Sequence, residues 1–369
     1  MRVKHALLLT AAAFALAASG SVNAAGLNKT GEITIPGEPL TSFDISFVNQ
    51  KDQHYLLADR SNKSIDIFDA SADKYIGRVG GFVGLIKNGE KAVSDESGPN
   101  GVVVAGDEAW AGDGDSTVKI IDLKTMKVVD TIKTGGKTRL DEVAYDPKDE
   151  VFIGVNDAEN PPYATLISTK PDHKVLAKVT FADAKDGAEQ PAYNPADGKF
   201  YVAIPQLGSD EKKGGVAVID PTSGKLLKTL EVDNCKPNGL AFGPDQNFLL
   251  GCQANGKKVG SPMLVVMNAQ TGKLVADIPD IGGADMVAYS AKNGQYYSAS
   301  SNFQPSPVLG VIDARTNKLV DKVAITGGSP HSVAVDDANG HVLLPVGKPN
   351  GGCGCVQVYS PSSPSTAVR

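Results

Sequence analysis

Asp141-Glu142-Val143-Ala144-Tyr145-Asp146-Pro147 decides the fold, because the chain keeps returning to it. Later versions are Glu189-Gln190-Pro191-Ala192-Tyr193-Asn194-Pro195, Asn238-Gly239-Leu240-Ala241-Phe242-Gly243-Pro244, Asp285-Met286-Val287-Ala288-Tyr289-Ser290-Ala291 and His331-Ser332-Val333-Ala334-Val335-Asp336-Asp337. Looser copies open upstream at Asp44 and Asn100. The seven openers are spaced 56, 41, 48, 49, 47 and 46 residues apart. Self-similarity at that period is the signature of a repeat architecture.

Each unit continues alike. A β-rich run such as Lys199–Ile204 follows a turn, then a polar loop, a third run such as Val216–Pro221, a turn, and a fourth run such as Leu226–Val232. The third run closes on an aspartate (Asp69, Asp122, Asp220, Asp313) whose carboxylate can accept backbone N–H groups of the turn. Four short strands per 40 to 50 residues, without helical periodicity, predict an all-β fold: a seven-bladed β-propeller of four-stranded blades. The seventh unit lacks an outer strand, and Gly31–Pro36 can supply it, closing the ring between the two ends of the chain. A two-sheet sandwich with long insertions is the alternative, and it does not account for so regular a period.

Arg2 and Lys4 precede an apolar run, Ala6–Ala18, and Val22-Asn23-Ala24 offers small residues for a signal-peptidase site. Residues 1–24 therefore read as a leader, 25–360 as one propeller domain and 361–369 as a Ser/Pro-rich tail. A retained N-terminal anchor is the alternative. The mature chain is expected to be a soluble, monomeric, periplasmic or secreted protein without a membrane span. The net charge of −6 argues against a nucleic-acid partner held by bulk charge.

Val104–Asp122 and Leu57–Asp69 resemble the YVTN-type repeat of exported bacterial propellers, the YncE-like group. The resemblance spans nearly the whole mature chain. It implies a propeller and an exported location but says little about activity.

The first strand of a propeller blade lines the central channel, so the openers Asp44, Asn100, Asp141, Glu189, Asn238, Asp285 and His331 are expected around one mouth. All offer oxygen or nitrogen donors, and acids crowded on one axis repel unless protons or a cation offset them. Such oxygen-rich ligation suits a hard divalent cation, above all Ca²⁺, with Mg²⁺ or Mn²⁺ as alternatives. The gluconolactonase/strictosidine-synthase-like propellers are similar here: Asn100, Asn238 and Asp285 match the type and strand position of their metal ligands. Asp44 stands where that family offers Glu, there are seven blades rather than six, and His331 is additional. That resemblance implies a metal-dependent lactonase or esterase, with Asp285 or Glu189 as base. A solvated polar pore is the plain alternative, and the glycines after Asn100 and Asn238 fit an ordinary turn.

Cys235 and Cys252 flank a hairpin turn and are expected to be bridged. Cys353-Gly354-Cys355 is read as a second bridge or a soft-metal pair. His54, His173 and His341 read as surface residues, and Trp110 as core. Gly-x-Ser-x-Gly, phosphate-loop and Cys-x-x-Cys-His motifs are absent. The long polar loops 156–163, 205–214, 253–262, 301–307 and 347–352 all join second to third strands and crowd the same mouth. Two functions follow: a binding protein recognising a small ligand, a cation or a protein partner there, or the metal-dependent lactonase.

Overall fold

A computed structural model describes residues 26–253 and 263–362. The leader, loop residues 254–262 and most of the tail lie outside the described residues. Seven four-stranded antiparallel sheets form the ring. Blade three, for example, runs Val143–Asp146, Val151–Asn156, Tyr163–Ser168 and Val175–Thr180. The first strands of successive blades touch one another around the whole circle, with Ser46–Asn49 of blade one meeting Ala334–Asp336 of blade seven.

Burial follows from this arrangement. Middle strands are covered on both faces by neighbouring blades, so Val151–Asn156 is buried throughout. Outer strands face solvent, so Lys127–Lys133 is mostly exposed. The core is divided among seven apolar clusters, each between adjacent blades. Trp110 is fully buried and packs on Phe152 between blades two and three.

The repeated aspartates act locally as their turns require. Asp69 accepts the N–H groups of Ser71 and Ala72, Asp122 those of Lys124 and Thr125, Asp220 those of Thr222 and Ser223, and Asp313 those of Arg315 and Thr316.

The closing strand is Leu27–Thr34, not residues 31–36. It pairs antiparallel with Cys355–Pro361 from Leu27↔Pro361 to Thr34↔Cys355, with a bulge between Lys29 and Gly31. Pro361, expected in the tail, therefore belongs to the sheet. The 56-residue first spacing also has a cause. Between blades one and two the chain makes a small hairpin, Lys87–Asn88 with Lys91–Ala92, and a short 3₁₀ turn, Ser94–Glu96.

Cys235 and Cys252 are bridged, with Cα atoms 4.7 Å apart, and so are Cys353 and Cys355. His173 is not a plain surface residue. Its ring meets the edge of Trp110, and its nitrogens face Asp130 at 2.8 Å and Glu108 at 3.6 Å. His54 and His341 open the second strands of blades one and seven and are half-buried, beside Asp52 and Asp73.

Candidate functional site

The openers meet at one mouth of the channel. Asp44, Asp141, Glu189, Asn238, Asp285 and His331 line a cavity of about 340 Å³, together with Arg60, Arg139, Glu142, Ser94, Gln253, Ser301 and Asn302. Asn100 lies beneath it, fully buried, and is reached through Arg60.

Asn–Gly at Asn100-Gly101 and Asn238-Gly239 is not a turn signal, so the alternative of an ordinary turn does not hold there. A Cβ on Gly101 would stand 2.6 Å from the Asp141 carbonyl oxygen, and one on Gly239 2.3 Å from that of Asp285. Glycine lets the next blade's opener press against the backbone. Gly101 N–H donates to the Asp141 carbonyl at 2.6 Å, and Met286 N–H to that of His331 at 3.0 Å. Thus openers are set side by side by backbone contact as well as by the ring.

Two arginines that the repeat pattern does not reveal organise half of the mouth. Arg60 follows the second strand of blade one, His54–Asp59, and donates to Asp44 Oδ2 and, at 3.0 Å from Nε, to Asn100 Oδ1. Asn100 Nδ2 in turn donates to the Leu140 carbonyl at 2.9 Å. Arg139 lies two residues before the blade-three opener. It pairs with Asp141 and Asp157 at 2.7 Å each, and its backbone N–H is held at 2.7 Å by the carbonyl of Asp95 in the inserted 3₁₀ turn. Burial alone would raise the Asp44 pKa, but the Arg60 guanidinium, His331 and Arg139 outweigh it and hold the carboxyl well below the usual range.

His331 stacks flat on Phe43, with ring centroids 4.6 Å apart. Its Nδ1 faces the Ser329 carbonyl at 2.9 Å and its Nε2 faces Asp44 Oδ1 at 3.3 Å. Both partners only accept, so both ring nitrogens are called on to donate. Burial disfavours the imidazolium, yet the Asp44 contacts and Asp285 prevail and raise its pKa.

The other half of the mouth is acidic and short of partners. Glu142, Glu189 and Asp285 bring carboxylate oxygens within 4.8 Å of one another. Burial, then repulsion from Glu189, pushes the Glu142 pKa well up; burial, then Asp157 and Asp285, does the same to Glu189. Burial also raises Asp285, against the pull of His331. Asn238 Nδ2 donates to Asp285 Oδ1 at 3.3 Å. Among the described residues, no hydrogen-bond partner reaches Asn238 Oδ1, Glu142 Oε2 or Asp141 Oδ1. Glu142 is only 3% exposed and Asn238 5%, so these are orphaned oxygens of buried groups.

The expected set Asp44, Asn100, Asn238 and Asp285 is thus split: Arg60 engages the first two, and the last two stand with Glu142 and Glu189. Glu142 had a signal in the repeat. It is an acid at the second position, where the other units carry Ile45, Gly101, Gln190, Gly239, Met286 and Ser332. A second cavity of about 540 Å³, between loops 157–162 and 184–187, adjoins the first at Glu189. The chain matches no protein-family model, and comparison with the curated proteins gives no match.

Proposed function

We infer that this is an exported binding propeller whose mouth holds a divalent cation, most simply Ca²⁺, and through it a small ligand or the surface of a protein partner. The carrying observation is the convergence of Glu142, Glu189 and Asp285 within 4.8 Å, with the orphaned Asn238 Oδ1 on the same wall. Oxygens each about 2.3–2.6 Å from a Ca²⁺ lie no more than about 5 Å apart, so the spacing suits that ion. The charge balance points the same way. Six carboxylates (Asp44, Asp141, Glu142, Asp157, Glu189, Asp285) face Arg60, Arg139 and His331, which offset at most half of them. The two disulfides and the likeness to exported YVTN-type repeats support an oxidising compartment outside the cytoplasm. No helix among the described residues is long and apolar enough to cross a membrane.

Glu189 favours a second reading, a metal-dependent lactonase or esterase. It sits where the two cavities meet, and burial with the neighbouring Asp157 and Asp285 favours its protonated form, as a group that handles a proton requires. In that reading the cation polarises the carbonyl and Glu189 or Asp285 handles the proton.

Calorimetric titration of chelator-treated protein with Ca²⁺, Mg²⁺ and Mn²⁺ tests the binding reading. One equivalent of uptake, weakened in Glu142→Gln, supports it; no uptake of any of the three overturns it. A lactone and ester panel with and without chelator then separates binder from hydrolase.

A further inference from the structure

A second constellation, outside the lining of the channel cavity, lies on the seam that closes the ring. Cys355 is the first residue of the third strand of blade seven, and Cys353 precedes it by two. Gly354 between them has φ +67°, in the left-handed region that suits glycine, and this folds the approach so that both sulfurs lie together. On the neighbouring closing strand, Glu32 pairs with Gln357 and Thr34 with Cys355. Residues two apart share a face, so Glu32 is the diagonal neighbour of Cys355. The result is that a Glu32 carboxylate oxygen and both sulfurs lie within 4.8 Å of one another.

Gln357 adds an independent feature. Tyr359 Oη–H donates to Gln357 Oε1 at 2.6 Å, which fixes the amide and turns Nε2 toward Cys353 Sγ at 3.9 Å. A donor held on a sulfur stabilises thiolate. Access differs too: Cys353 is half-buried, whereas Cys235 and Cys252 of the other bridge are 1% and 2% exposed.

We propose that Cys353, Cys355 and Glu32 form a redox-gated site for a thiophilic d¹⁰ cation of the Cu(I), Zn²⁺ and Cd²⁺ class. In the oxidised protein the sulfurs are bonded to each other and the site is closed. A dithiol reductant delivers two electrons and two protons, breaking the S–S bond and leaving as its own disulfide. The cation then displaces the two thiol protons to solvent and takes two thiolates and the Glu32 carboxylate as ligands, and the Gln357 N–H supports one sulfur. Because the cation joins the closing strand to its neighbour, binding also ties the seam that the disulfide does not cross.

The test uses the full chain, reduced with a phosphine, desalted under inert gas and titrated with Cd²⁺ while sulfur-to-cadmium charge-transfer absorption is recorded. Reduced protein is expected to take up one equivalent and oxidised protein none. Cys353→Ser should abolish the band, and Glu32→Gln, a change at a half-exposed side chain, should weaken binding by at least about tenfold. An unchanged band in Cys353→Ser would assign it to Cys235 and Cys252 and overturn the proposal, as would no band in reduced wild type. If the cysteine variant fails to fold, Glu32→Gln decides: affinity equal to wild type overturns the site.

Discussion

Asn238 gives its amide hydrogen to Asp285, and its own carbonyl oxygen finds no partner among the described residues. The pair spans two blades, so the contact measures how adjacent blades present their openers to the channel. A buried amide oxygen beside three acids is costly unless something positive shares the space.

Asp285→Asn separates a cation from simple crowding by the sign of its effect. With a bound cation it should lower cation affinity and remove the calcium-dependent rise in melting temperature. That rise corresponds to about 2.7 kcal/mol when free metal stands a hundredfold above its Kd. A stabilised variant whose parent shows no metal response would mean that the acids only repelled one another.

The mouth should also read out in pH. Glu142, Glu189 and Asp285 are raised, so the folded state holds protons that the unfolded state has released. Metal-free protein should therefore lose stability as pH rises above the ordinary carboxylate range, 3.8 to 4.5, toward the folded values. Saturating Ca²⁺ should abolish that slope. His331 adds a separate loss: its contribution is complete below 6.5 and disappears as pH rises through its raised folded value. Melting curves with and without Ca²⁺, for wild type and His331→Gln, check both windows.

Arg60→Ala leaves Asp44 and Asn100 buried without their shared donor. Breaking one side of a buried pair should cost about 3–5 kcal/mol in urea unfolding, and Arg60→Lys should recover only part of it. A loss below about 1 kcal/mol would show that Asp44 finds another partner.

Gly239→Ala places a methyl 2.3 Å from the Asp285 carbonyl oxygen and 2.8 Å from the Val287 nitrogen, both backbone atoms that cannot swing aside. It should destabilise the protein by about 1–3 kcal/mol and shift the opener enough to weaken cation uptake. Unfolding midpoints and calorimetry on the one variant measure both.

The blades were legible because they repeat, and the openers because they sit at one phase of the repeat. Arg60 and the inserted turn at Asp95 have no counterpart in the other units, and Arg139 is matched in phase by only one other basic residue, Lys236, so the repeat does not draw attention to them. Their partners become neighbours only when the ring sets blade beside blade, as with Arg60 and Asn100. The Asn–Gly pairs left a plain turn open for a related reason: a glycine needed for close approach reads in sequence like one needed for a turn. His173 looked superficial because its neighbours are polar, but its ring is covered by Trp110 from the adjacent blade.

Leu27–Thr34 comes near the start of the chain and finds its partner, Cys355–Pro361, only at the end. Blade seven is therefore the last unit that synthesis can complete. Until Cys355–Pro361 arrives, the first strand is an open edge without its mate, while blades built from contiguous chain can already pair internally. Such an arrangement makes the final strand a timer. A chain interrupted late would carry six formed sheets, two unsealed ends and a standing invitation to join a neighbour edge to edge, whereas in a complete one Cys355–Pro361 is paired on both sides and fills that gap.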